Sequence, residues 1–275
     1  MKNMFCGTIL IVGKTNVGKS TLFNKLIKKR ISIVSNRKNT TEKYIVGVRN
    51  NFNKQSIFID TPGIFKFKLN KKFHVCKKKF YVDLIILVID RNIWKQEDEN
   101  ILISLNNTKV PIILLINKID KIKDKSVLLP FLKYIHKKYK FFKLIPSSSN
   151  KKNNIKKIRA IVEKKLPHRK HIFKKNFVTY NTKQFIVSEI VRERFLHYFS
   201  QEIPYKLKIE IESIKELKAK ILFIKAIIKT KNNRHKKIVI GNKGNMIKKC
   251  NITSRKKIEM FFKKKVHLYF TVQTI

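Results

Sequence analysis

Residues 13–20 read GKTNVGKS, set between an apolar run, Phe5 to Val12, and an amphipathic stretch, Thr21 to Ile27. This is the G-x-x-x-x-G-K-[ST] pattern in its proper setting, a strand before it and a helix after it. Gly13 and Gly18 let the backbone bend so that the N–H groups of Lys14, Thr15, Asn16 and Val17 turn inward toward phosphate oxygens. Lys19 adds a positive charge at the β/γ-phosphates, and Ser20 offers a hydroxyl to Mg²⁺. Thr21 opens a helix whose positive end meets the same anion. A glycine turn with a chance lysine is the bland alternative in so lysine-rich a chain, and the segments downstream argue against it.

After the apolar stretch Ser56 to Ile59 comes DTPG, Asp60-Thr61-Pro62-Gly63. A carboxylate at a strand's C-terminal end can hold Mg²⁺ through water beside the phosphate loop, and the Gly63 N–H can meet a γ-phosphate. The run Asp83 to Ile89 carries no motif and is expected to fill the sheet interior. Val110 to Ile116 ends in NKID, Asn117 to Asp120. A carboxylate at Asp120 accepts two N–H bonds from the Watson–Crick edge of guanine, whereas adenine presents the wrong arrangement. Asn117 either reaches the other edge of the base or ties this motif to the phosphate loop. The stem of Lys118 can cover the purine face. The set implies GTP or GDP as ligand.

Weaker features complete it. Thr40-Thr41 lies in a polar stretch where a threonine can close over Mg²⁺, and Ser148-Ser149 follows the apolar run Phe141 to Ile145, where backbone N–H can meet guanine O6. Ile64 follows Gly63 where many switch GTPases place a water-orienting glutamine, so slow intrinsic turnover is expected.

The alternation of strand-like and helix-like runs from Phe5 to about Leu166 predicts a mostly parallel sheet with helices on both faces. This gives an α/β domain over residues 1–166. The polar, basic stretch 167–183 is read as a linker, with His168 and His171 in it solvated. A smaller α+β domain is expected over 184–275. Gln184 to Phe199 has helix spacing, with Glu189, Arg192, Glu193 and Arg194 expected mostly on the outer side. Pro204 to Ile214 and Leu217 to Ile228 read as a strand hairpin. Then Gly241-Asn242-Lys243-Gly244 separates Ile238-Val239-Ile240 from a helix-like Asn245 to Phe262, and Val266 to Val272 is a last strand. A G-x-x-G between helices permits close approach of backbone to a sugar-phosphate chain, with Lys243 and Lys248 adding charge. This is the signature of a KH domain, which holds about four unpaired bases. A plain helix–turn–helix packing element is the alternative.

The chain has 275 residues, and 65 Lys and Arg against 17 Asp and Glu give a formal net charge of +48. So large an excess favours a polyanion, nucleic acid first. Abundant lysine, isoleucine and asparagine with scarce glycine and proline also fit an A+T-rich genome, so charge supports RNA without establishing it. Cys6, Cys76 and Cys250 have no paired spacing and read as buried thiols in a reducing compartment. Met1 to Val12 leads straight into the phosphate loop and reads as a strand, not a signal peptide. No apolar stretch approaches the roughly 20 residues of a membrane span. The expected location is the cytoplasm, with peripheral contact of a basic face with acidic lipid left open.

Taken together, the chain resembles the translation-factor-like GTPases and, within them, the Era family. The resemblance rests on the phosphate loop with Asn16, Thr40-Thr41, DTPG, NKID followed by Leu128-Leu129-Pro130, the stretch FIVSEIVRERFLHYFSQEIPY (Phe185 to Tyr205), and the G-x-x-G loop. It implies a P-loop GTPase domain followed by a type II KH domain. Ser20, Thr41 and Asp60 would then be the Mg²⁺ set, with Lys19, Thr41 and Gly63 acting at the reacting phosphate. Asn16 also suggests K⁺ near the phosphates, as in some relatives. The implied activity is hydrolysis of GTP to GDP and phosphate by a monomer that binds single-stranded RNA at the 3′ end of the small-subunit ribosomal RNA. Its implied role is 30S subunit assembly and rRNA maturation. Glu42 stands where the family usually has arginine, and the sequence ends at Ile275 where relatives continue for a short tail. Competing readings are an RNA chaperone with a relic nucleotide site and a membrane-associated cell-cycle regulator. Intact Lys19, Ser20, Asp60, Asn117 and Asp120 argue against the relic.

Overall fold

The computed structural model describes residues 3–29, 31–32, 44–63, 72–75, 78–106, 108–149, 151–199, 203–217 and 221–275. Thr40, Thr41, Glu42, Ile64 and Cys76 lie outside them. The chain divides into two compact units, 1–180 and 181–275.

The first unit is built on a six-stranded sheet of order β2-β3-β1-β6-β7-β8. Its strands are β1 (Phe5–Val12), β2 (Ile45–Asn51), β3 (Lys54–Asp60), β6 (Leu84–Asp90), β7 (Ile112–Asn117) and β8 (Lys143–Pro146). A separate hairpin pairs β4 (Lys72–Val75) with β5 (Lys78–Tyr81). All six-strand pairings are parallel except β2 with β3. Strands β1, β6 and β7 are near-continuous Ile/Leu/Val because helices cover both faces of a parallel sheet. These helices are α1 (Lys19–Ile27), α2 (Gln96–Asn106), α3 (Leu128–Lys138) and α4 (Lys152–Lys164). Strand order reverses at β1, with β3 on one side and β6 on the other. Such a switch point opens a crevice at the strand C-terminal ends, where the phosphate loop, Asp60 and NKID all fall.

The stretch expected to be a linker is a strap on this unit up to Tyr180. Cys6 N–H donates to the Pro167 carbonyl at 3.1 Å, and Val48 N–H donates to that of Val178 at 2.7 Å. Arg169 pairs with Asp83 at 3.2 Å. The Gln55 carboxamide, fully buried, accepts from the N–H groups of Ile172 and Phe173 and donates to the Phe173 carbonyl at 2.8 Å. The strap covers the otherwise open edge of β2, which explains why an aperiodic polar segment is ordered. His168 is exposed but lies edge-on to Phe5, and His171 Nε2 sits 3.0 Å from the Asn53 carbonyl. Both are packing groups of the strap.

In the second unit α5 (Lys183–Tyr198) starts at Thr182, whose hydroxyl accepts from the Phe185 N–H. A short helix, α6 (Ile203–Lys206), follows, so the first strand of the expected hairpin begins at Lys208 rather than Pro204. Strand β9 (Lys208–Leu217) pairs antiparallel with β10 (Ile221–Thr230), and β10 pairs parallel with β11 (Val266–Thr274). Two helices, α7 (Asn233–Ile240) and α8 (Asn245–Phe262), stand between β10 and β11. Glu189, Arg192 and Glu193 are buried, contrary to the outward placement expected of them. The reason is that α5 packs against both α8 and β9, so it has no single solvent face. Glu193 bridges Arg194 at 3.1 Å and Lys257 of α8 at 3.0 Å, which compensates its burial.

Replacing Gln55 by alanine strands the buried N–H and carbonyl of Phe173 and the partly buried N–H of Ile172. Urea denaturation should show a loss of about 3 kcal/mol, against well under about 1 kcal/mol for an exposed substitution.

Candidate functional site

The phosphate loop turns on two positive-φ glycines, Gly13 and Gly18, with Asn16 also left-handed at φ 62°. At Gly18 a Cβ would come within 2.3 Å of the Asn117 Nδ2, so the residue has no substitute there. Asn117, at the end of β7, resolves the alternatives left open for it. Its Nδ2 donates to the Val17 carbonyl at 2.8 Å, and its Oδ1 accepts from the Ser149 N–H at 2.9 Å and hydroxyl at 2.8 Å. It is therefore the tie between phosphate loop and base loops, and Ser149 is engaged in holding it rather than offering its N–H outward. Ser147 and Ser148 are buried beside it.

Lys118 is held open over the site from two sides. Its Nζ donates to the Asn16 carbonyl at 2.5 Å and pairs with Asp90 at 3.0 Å. Asp90 ends β6, the strand expected to carry no motif, and Arg91 follows it. The Arg91 N–H donates to the Asn117 carbonyl at 2.8 Å, so this dipeptide braces NKID from below. Lys118 and Arg91 together hold the Asp90 carboxyl below its ordinary range despite partial burial. Asp120 stands exposed in a single 3₁₀ turn, Ile119–Lys121.

At the other end lie the groups expected to hold a metal. The Ser20 hydroxyl donates to Asp60 Oδ2 at 2.8 Å, and the Ser32 hydroxyl donates to the same oxygen at 2.7 Å. Asp60 Oδ1 is buried without a well-formed hydrogen bond among the described residues. An oxygen-only donor set with one orphaned carboxylate oxygen suits a hard cation such as Mg²⁺. Burial pushes the Asp60 carboxyl above its ordinary value, with Lys19 opposing. The Lys19 Nζ donates to the Lys14 carbonyl at 2.6 Å, and Lys14 pairs with buried Asp98 of α2 at 2.6 Å. Thr61 anchors its turn on the Ile11 carbonyl at 2.8 Å, Pro62 follows it, and a Cβ at Gly63 would strike the backbone of Thr15.

In the second unit Gly241 (φ 75°), Lys243 (φ 48°) and Gly244 (φ 76°) form the sharp turn between α7 and α8. A Cβ at Gly241 would meet Met246 at 2.7 Å, so the loop closes tightly on the first turn of α8. Asn242, Lys243 and Lys248 are exposed around it, and Ile238 is 40% exposed beside it. This places apolar surface and cations next to a backbone without side-chain bulk.

Residues 8–118 match the family described as 50S ribosome-binding GTPase, and residues 202–273 match the KH domain family. GTPase Era of Buchnera aphidicola subsp. Acyrthosiphon pisum is 45% identical over 99% of this chain and 98% of its own length. The chain belongs to the Era GTPase family. GTPase Era of Haemophilus influenzae is 38% identical over 98% of this chain and 91% of its own. Among solved structures, Era in complex with MgGDPNP and nucleotides 1506–1542 of 16S ribosomal RNA superposes with a TM-score of 0.88 at 32% identity, covering 99% of this chain and 94% of that one. A variant of Aquifex aeolicus Era bound to GDP and AlF4⁻ gives 0.89 at 32% identity, with the same coverage.

Membership accounts for the motifs but not for all the residues that shape them. Ser32, Asp90, Asp98 and Asn24 were not singled out by sequence reasoning. Asn24 accepts from the N–H groups of Ile31 and Ser32 and donates to the Ser32 carbonyl, which aims Ser32 at Asp60. Polar residues outside the motifs carry no spacing signal. Among the described residues no group of three or more His, Cys, Asp or Glu could hold a metal, and no helix is long and apolar enough to cross a membrane.

Burial lowers the Lys19 ammonium to about 8 from an ordinary 10.5, with Asp60 opposing. Below pH 8 it is charged in folded and unfolded chain alike, and the desolvation cost is carried in full. Between about 8 and 10.5 the folded chain releases this proton while the unfolded chain keeps it, so stability rises with pH. The folding free energy of the wild type, measured against Lys19→Met by urea denaturation, should rise by up to about 3 kcal/mol across that window. A pH-independent difference would contradict the burial of the ammonium.

Proposed function

We propose that this Era-family GTPase is a switch that binds single-stranded RNA at the 3′ end of the small-subunit ribosomal RNA and assists assembly of the small ribosomal subunit. The observation that carries this reading is one fold match spanning both units, to an Era captured with MgGDPNP and 16S ribosomal RNA together. The positive-φ G-x-x-G turn on the second unit, with Asn242 and Lys243 exposed, supports it independently. A cytoplasmic monomer is the setting assumed.

On this reading the N–H groups of residues 13–18 cradle the phosphates, with Lys19 swinging from the Lys14 carbonyl to the β/γ-phosphates. Ser20 and Asp60, with Thr41, would hold Mg²⁺, and the chemistry it would supply is neutralisation of charge on the phosphates. Thr21 flanks the phosphate loop on α1, and Ser148 serves the base. Lys118 covers the purine along its stem, since Asp90 and Asn16 fix its ammonium beyond it. Asp120 reads guanine. The chemistry is in-line attack of water, needing position and charge more than covalent help. Gly63 presents its N–H beside the phosphate loop. Ile64 cannot orient the water, so turnover is slow until a partner or a K⁺ ion near Asn16 assists. A rate higher in K⁺ than in Na⁺ buffer is the expected result for the ion.

Asp120→Asn exchanges two accepting oxygens for one acceptor and one donor. GTP affinity should fall by at least about a hundredfold and xanthosine triphosphate should bind instead, as read by nucleotide competition. Gly241→Asp sets a carboxylate and a clashing Cβ where RNA backbone approaches. RNA affinity should fall at least about tenfold, and RNA-stimulated hydrolysis should vanish with basal hydrolysis intact. Tight RNA binding with no GTP hydrolysis under any condition would reduce the protein to a scaffold.

A further inference from the structure

A groove lies between α1 and α4, beside the nucleotide site. Its volume is about 670 Å³, within the roughly 300–1,000 Å³ of ligand sites. Lys25, Lys28 and Lys29 line it from α1 and its C-terminal cap, and Lys152, Lys156 and Arg159 from α4. Only Thr21 and Ser149 are shared with the predicted nucleotide set. No residue of the phosphate loop or of NKID lines it.

Composition alone does not account for this arrangement. Lys152, Lys156 and Arg159 recur at i, i+4 and i+7 on α4 and form one cationic stripe, which Lys25 of α1 and Lys28 and Lys29 of the turn that ends it face across the groove. Like charges at this spacing destabilise a helix. Carboxylates are scarce, yet the unit spends them elsewhere: Asp98 on Lys14, Asp90 on Lys118, Asp83 on Arg169, Glu99 on Lys138. None of the five lysines of the groove pairs with a carboxylate among the described residues, and no carboxylate lines the groove among them. Glu163, one turn beyond Arg159, is engaged by Arg49 and Asn51. The guanidinium of Arg159 is itself fixed, donating to the carbonyls of Lys25 and Leu26 at the end of α1. Burial and neighbouring Arg49 disfavour its charge, with Glu163 opposing, and an anion in the groove would relieve this.

We infer that this groove is a second seat for RNA, binding consecutive backbone phosphates on the GTPase unit itself. The inference rests on the RNA-binding reading above. The stripe from Lys152 to Arg159 spans about 10 Å along α4, room for more than one backbone phosphate of a single strand. A flat bilayer would not enter a concave groove between two helices. Thr21 directly follows Ser20, and Ser149 holds Asn117, so a strand seated here touches the backs of both the phosphate loop and the base loop.

The test uses the full chain with Lys29, Lys152 and Lys156 all changed to glutamine. A control variant carries Lys133, Lys137 and Lys140 changed likewise, exposed lysines on and just after α3. An oligoribonucleotide from the 3′ end of the small-subunit ribosomal RNA is titrated over a range of KCl concentrations. The groove variant should lose more than tenfold in low-salt affinity, and its salt slope should shrink by about 2. Its affinity for GDP without RNA should match the wild type, which shows that the unit is folded. The control variant should keep the wild-type slope. An unchanged slope in the groove variant, while Gly241→Asp abolishes binding, overturns the groove and leaves the RNA reading standing. Equal loss in the control variant reduces the effect to net charge and also overturns it. A wild type that binds no RNA removes both readings. Vesicles of phosphatidylglycerol bound by the wild type and not by the groove variant, with RNA binding equal in the two, would make the groove a lipid seat instead.

Discussion

The Asn117 carboxamide stands between the two halves of the nucleotide site. Strand β7, which carries it, is separated from β1 by β6, so the phosphate loop and the guanine-reading loop have no backbone contact through the sheet. One side chain spans the gap, donating to the Val17 carbonyl and accepting twice from Ser149. Each such bond contributes on the order of 1 kcal/mol net, but leaving any of these buried groups unpaired costs more. The phosphate loop and the base loop are therefore tied directly by a rigid amide. Lys118 repeats the connection one residue on, through Asn16 and Asp90.

Around this tie the site concentrates charge that the fold alone would avoid. Lys19, Asp60 and Asp98 are all buried, and in each case desolvation is the largest influence on ionisation. Such groups destabilise the protein by themselves and are compensated when opposite charge arrives. The orphaned Asp60 oxygen and the ammonium of Lys19 turned back on its own loop are two expressions of the same demand. The second unit does the reverse with its buried charges. Glu193 is closed within Arg194 and Lys257, and what it offers outward is backbone at Gly241 to Gly244.

Most of the nucleotide site could be read without coordinates, because its chemistry is local. A phosphate loop needs glycines at fixed offsets to reach positive φ, and DTPG and NKID need carboxylates at strand ends. The residues missed are those whose role lies in what they meet across the fold. Ser32 is an ordinary serine until Asn24 turns it onto Asp60. Asp90 lies just past the run Asp83 to Ile89 that reads as sheet interior, and its register beside Asn117 makes it the support of Lys118.

The sequence by itself determined the order of motifs, the guanine preference, the parallel α/β plan of the first unit and the G-x-x-G turn of the second. Each follows from residue type at short separation, where backbone geometry and side-chain chemistry act directly. Only the tertiary structure decided that 167–180 is a strap rather than a linker, since its hydrogen bonds go to Gln55 and the edge of β2. It alone decided that Glu189, Arg192 and Glu193 face inward, because a helix covered on two sides has no polar face for periodicity to reveal. The facing of the α4 cationic stripe and the lysines at the end of α1 is likewise set by packing, for the two helices are more than a hundred residues apart in the chain.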